Sequence, residues 1–121
     1  MPQNPFFVAT KSPSAEVFIF DVSRHPSIPD NRINFRPDQV CYGHAREGYG
    51  LSWNPHTTGV LLSGSDDSCI CMWDINVGKK RIDTLRKWSG HCDVVEDVAW
   101  HNQSPNIFCS VGDDRKLLVW D

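Results

Sequence analysis

Hydrophobic and polar positions alternate along this chain in short bursts, none long enough for a helix. Tyr49, Leu51 and Trp53 share one side of an extended segment, and Glu96, Val98 and Trp100 repeat the spacing. Residues 60–63 and 107–111 are brief apolar runs, each followed by a polar turn at 65–68 or 112–115. Apolar runs resume at 70–73 and 117–120, and residues 84–88 read as a further strand. Asn54-Pro55 and the four residues after it mark another turn. No stretch of about ten residues keeps a 3.6-residue period, so the pattern predicts an all-β chain with little helix.

One offset organises these segments. Gly43-His44 recurs as Gly90-His91, Trp53 as Trp100, Ser63 as Ser110, Asp66-Asp67 as Asp113-Asp114, and Trp73-Asp74 as Trp120-Asp121, always 47 residues on. Over the 32 gapless positions from 43–74 to 90–121, eight residues are identical. A run from Gly-His to Trp-Asp resembles the WD repeat, which supplies one four-stranded propeller blade per copy. A degenerate copy precedes these two. Phe20-Asp21 aligns with Trp73-Asp74, and Ser14 takes the place of Asp67, so the first blade should hold a weaker polar network.

The expected organisation is an incomplete blade at 1–42 lacking its inner strand, a complete blade at 43–89, and a blade at 90–121 lacking its outer strand. Ten strands counted as three, four and three do not close a ring. The expected architecture is therefore a partial β-propeller of about three blades, and the family resemblance given below implies a seven-bladed ring.

Charge and cysteine usage narrow the chemistry. Lys plus Arg is 12 and Asp plus Glu is 15, a formal charge of −3, which argues against a phosphate-backbone binder and leaves room for a basic protein partner. The longest uncharged stretch, 48–65, contains Asn54, Pro55, His56, Thr57 and Thr58, which argues against a membrane span, and no basic-then-apolar leader opens the chain. Five cysteines without a CxxC spacing read as reduced thiols of a cytosolic or nuclear protein, with no disulfide frame and no metal site. Lys79-Lys80-Arg81 with Arg86-Lys87 forms the one basic run. It reads as edge protection of a strand, with nuclear localisation or nucleic-acid contact as the alternative.

His44, Ser63 and Asp67 invite a Ser-His-Asp hydrolase reading, as do His91, Ser110 and Asp114. Duplication at a constant offset favours architecture instead. In WD repeats the loop His, strand Ser, turn Asp and strand Trp bond to one another, so the expected structural tetrads are His44, Ser63, Asp67, Trp73 and His91, Ser110, Asp114, Trp120. No phosphate loop, metal cluster or cofactor motif accompanies them, and the chain reads as no enzyme.

A narrower resemblance rests on Met1-Pro2-Gln3-Asn4-Pro5, Ala9-Thr10-Lys11, Arg24-His25-Pro26-Ser27, Glu47-Gly48-Tyr49-Gly50-Leu51-Ser52-Trp53-Asn54-Pro55 and Val94-Val95-Glu96-Asp97-Val98. Together these resemble the histone-binding WD-repeat family, which includes the retinoblastoma-binding proteins and the small subunits of chromatin assembly factor. The resemblance implies a nuclear scaffold subunit of chromatin assembly, remodelling, deacetylase or Polycomb complexes that holds a core-histone N-terminal tail. The family's tail-contact positions match Glu47, Tyr49 and Glu96. The family's second histone site, built from an N-terminal helix and a late-blade loop, is not expected here. A generic WD-repeat adaptor without histone binding is the alternative.

Overall fold

The computed structural model describes residues 1–26, 28 and 36–121. In the expected list of family stretches, Ser27 lies outside these residues. Among the described residues eleven strands run in chain order: β1 (Phe7–Lys11), β2 (Val17–Asp21), β3 (Gln39–Tyr42), β4 (Leu51–Trp53), β5 (Val60–Gly64), β6 (Cys69–Asp74), β7 (Arg81–Asp83), β8 (Arg86–Ser89), β9 (Val95–Trp100), β10 (Phe108–Gly112) and β11 (Leu117–Trp120). Two single 3-10 turns, Val22–Arg24 and Ile75–Val77, are capped by the carboxylates of Asp21 and Asp74. No helix among the described residues is long and apolar enough to cross a membrane.

The strands form three sheets, ordered β1-β2-β3-β7, β4-β5-β6-β8 and β9-β10-β11. The middle sheet is covered on both sides, and its sequence shows why. All five residues of β5 are buried, with Leu61 facing the first sheet and Leu62 the third. On one side Leu61, Cys71 and Trp73 meet Val17, Ile19 and Cys41. On the other, Leu62 and Ile70 meet Val95, Val98 and Phe108. Phe108 anchors that second core, with Trp88, Trp100 and Trp120 rings 5.0, 5.4 and 5.9 Å from its own. An all-β stack of blade-like sheets is the outcome that the period-two pattern requires.

The connection between β6 and β8 departs from expectation. The outer strand expected at 84–88 forms the fourth strand of the middle sheet with shifted bounds, as β8, Arg86–Ser89, paired with β6 through Met72↔Arg86 and Ile70↔Trp88. The segment before it crosses to the neighbouring sheet, where β7 pairs in parallel with β3, Cys41 opposite Ile82. Ile82 is the driving residue: it is 3% exposed and joins the first core. Thr84 ends the excursion by donating its hydroxyl to Tyr42 O at 2.7 Å.

Candidate functional site

The two Gly-His loops bring their histidines down onto the turns that follow β5 and β10. In the third sheet the polar atoms form one chain of donors. Trp120 Nε1–H donates to Ser110 Oγ (2.9 Å), the hydroxyl donates to His91 Nε2 (2.7 Å), and His91 Nδ1–H donates to Asp114 (2.9 Å). Each buried group finds the partner its chemistry requires.

The middle sheet closes its network differently. Ser63 Oγ lies 3.0 Å from His44 Nε2, and His44 Nδ1 lies 3.0 Å from Asp67. Trp73 does not join them, contrary to the expected tetrad. Its indole N–H donates to Tyr42 O at 2.8 Å. The acceptor on Ser63 is taken instead by Lys11, which reaches across from β1, donates to Ser63 Oγ at 2.7 Å and also donates to Gly64 O. Burial pushes the Lys11 ammonium down from 10.5 to about 8, with Asp67, Cys71 and Asp66 opposing the shift. Burial also lowers His44 from its ordinary range against the pull of Asp67. Burial would raise Asp67, but N–H bonds from Ala45 and Cys69 together with His44 hold its carboxyl below the usual range.

Both Ser-His-Asp sets have the distances of a hydrolytic relay, yet Ser63 and Ser110 are 0% and 1% exposed. Neither hydroxyl can meet a substrate carbonyl, and each is already bonded. These residues hold loops to sheets.

What they hold is the end of the stack that carries Glu47, Tyr49 and Glu96. Gly64 N donates to Gly50 O, Asp66 N to Glu47 O, and the Ser65 hydroxyl to both Arg46 O and Glu47 O. Val95 N donates to Ser65 O, so the Ser65–Asp66 turn bridges the Glu47–Tyr49 loop and the strand bearing Glu96. Tyr49 is 76% exposed and lines a cleft of about 380 Å³ with Glu47, Lys11 and Ser12. Glu96 lies on the other side of the turn, exposed. The three residues share one rim without forming one pocket.

Two acids absent from the expected set complete the rim. Repulsion from Asp113 raises the Glu96 carboxyl above its ordinary range, with burial, a hydrogen bond to Asp113 and the charge of Asp66 adding to it. Asp66 Oδ1 is buried and has no hydrogen-bond partner among the described residues. The signal was present in the repeat, since Asp66 and Asp113 are the first members of the two Asp-Asp pairs.

The family model described as "WD domain, G-beta repeat" matches residues 35–74 and 82–121. The chain belongs to the WD-repeat family. Both matched repeats end on the Trp-Asp pair, and their Gly-His loops carry the networks just described. Repeats of this family are protein-interaction scaffolds.

Proposed function

We propose that this WD-repeat chain is a histone-binding scaffold subunit of nuclear chromatin complexes, holding a core-histone N-terminal tail on the rim formed by Glu47, Tyr49 and Glu96. The observation that carries this reading is the convergence of Glu96, Asp113 and Asp66, whose mutual repulsion raises the Glu96 carboxyl. A lysine ammonium or arginine guanidinium would relieve that repulsion, and a tail supplies several in an extended segment. Tyr49 offers its exposed ring to a cationic side chain or its alkyl stem. A basic partner is also steered by the exposed carboxylates of the rim.

The test is a titration of the protein with an unmodified core-histone tail peptide at two salt concentrations. Glu96→Gln should weaken binding about two- to fivefold, more at low salt, because an exposed charge acts mainly through steering. Tyr49→Ala should weaken it with less salt dependence. Unchanged affinity in both variants would leave the adaptor reading, in which the scaffold serves a different protein.

A further inference from the structure

The basic run has no role in the rim, and the parallel β7 pairing explains where it goes. Pairing of Val40 with Arg81 carries Lys79 and Lys80 onto the flank of the first sheet, at the opposite end of the strands from Glu96. Val40 N donates to Lys80 O, and the Gln39 side chain donates to the carbonyls of Ile75 and Lys79. The backbone of the run is therefore pinned while its side chains stay exposed.

These lysines and Arg24 line a cleft of about 730 Å³ between the first and middle sheets. Its carboxylates are already engaged by the protein's own donors. Asp38 accepts from Asp21 N at 2.7 Å and lies 3.1 Å from His25 Nε2, while Asp21 accepts from the N–H and hydroxyl of Ser23. Asp38 also faces Arg24 at 3.4 Å, but Arg24 is 71% exposed and has donors to spare. Among the described residues, the ammonium groups of Lys79 and Lys80 have no acidic partner. Met1, Phe7 and Ile75 give the same cleft an apolar component.

We propose that this cleft docks an acidic peptide segment of a partner protein, its carboxylates on Lys79, Lys80 and Arg24 and an apolar residue between them against Met1, Phe7 and Ile75. The charge is complementary and the apolar lining suits a peptide side chain. A nucleic acid fits less well. Met1, Phe7 and Ile75 on the cleft wall suit an apolar peptide side chain, whereas a sugar-phosphate strand would set charge against them.

The test is fluorescence anisotropy of the whole chain with a labelled peptide of Glu and Asp flanking a central Leu, beside a labelled oligothymidylate of matched charge. The peptide should bind with an affinity that falls as salt rises. Lys79→Glu with Lys80→Glu should weaken it about tenfold, Lys79→Gln with Lys80→Gln by less, and Lys116→Glu, on the third sheet, by under about twofold. A urea melt of each variant checks that folding is retained, as expected for exposed side chains. Absent binding, equal loss in Lys116→Glu, no loss in either double variant, or oligothymidylate binding as tight as the peptide's would each overturn the proposal.

Discussion

Replacing Lys11 with methionine should stabilise the protein at neutral pH. The ammonium sits in the seam between the first and middle sheets, bonded to a hydroxyl and a carbonyl, and burial depresses it from 10.5 to about 8. Folding therefore disfavours its protonated form. Full desolvation over that interval would correspond to about 3 kcal/mol, and the partly exposed setting reduces this to about 1–2 kcal/mol. Methionine has similar length and no charge, so it removes the cost while filling the seam. The pH dependence follows from the same shift. Between about pH 8 and pH 10.5 the unfolded chain binds a proton at Lys11 that the folded chain does not, so this group makes stability rise with pH through that window. Cys41 and Cys71, pushed up to about 12 and about 11 by burial, act in the opposite direction above pH 9, where the unfolded thiols ionise first. Their desolvation is common to both proteins, so the difference between wild type and Lys11→Met reports the lysine together with its charge interactions with Cys71, Asp67 and His44. Urea midpoints measured for both proteins from about pH 7 to about pH 10 should show the variant ahead at neutrality and the gap closing as pH rises. A variant less stable by more than about 1 kcal/mol, with a pH-independent gap, would refute this reasoning and make the ammonium a net stabilising tie.

Two further substitutions probe the networks and the loop they hold. His91→Ala should cost about 1–3 kcal/mol in a urea melt, because the Ser110 hydroxyl loses its acceptor and Asp114 its ring donor; a midpoint equal to that of a surface control would remove the tetrad assignment. Gly48→Ala should destabilise by about 1–3 kcal/mol and weaken tail binding together, since the added carbon would lie 2.5 Å from Gly64 O and 2.6 Å from Ser65 Cα, backbone atoms that cannot swing aside. Calorimetry and peptide titration on the same sample check both effects.

The repeat made much of this arrangement legible. Pairs at one offset carry His91, Ser110, Asp114 and Trp120 into a single donor chain, because identical residues at identical strand positions meet the same neighbours. The same logic misplaced Trp73. Each tryptophan faces the preceding sheet, but from the first sheet Lys11 reaches Ser63 and Tyr42 O takes the Trp73 indole N–H, while among the described residues no such lysine reaches Ser110. Nothing in the local pattern marks Lys11, and only packing between sheets shows that its ammonium reaches Ser63 and Gly64. Arg81–Asp83 escaped for a related reason: a three-residue strand has almost no local signal, and its pairing depends on where β3 lies after folding. Glu47, Tyr49 and Glu96 rested on family resemblance. Their shared rim, and the presence of Asp66 and Asp113 in it, is visible only once the Ser65–Asp66 turn is seen joining two sheets.

The central claim is that this rim is built for a cation, and the carboxyl of Glu96 reports on it most directly. Its carbon-13 signal, followed by NMR as pH is lowered, should titrate above the ordinary glutamate range in the free protein because of Asp113 and Asp66. With saturating histone-tail peptide the midpoint should fall, since an ammonium or guanidinium beside the three carboxylates favours their ionised forms. A midpoint that stays where it was, with the peptide demonstrably bound, would contradict the account and place the peptide elsewhere.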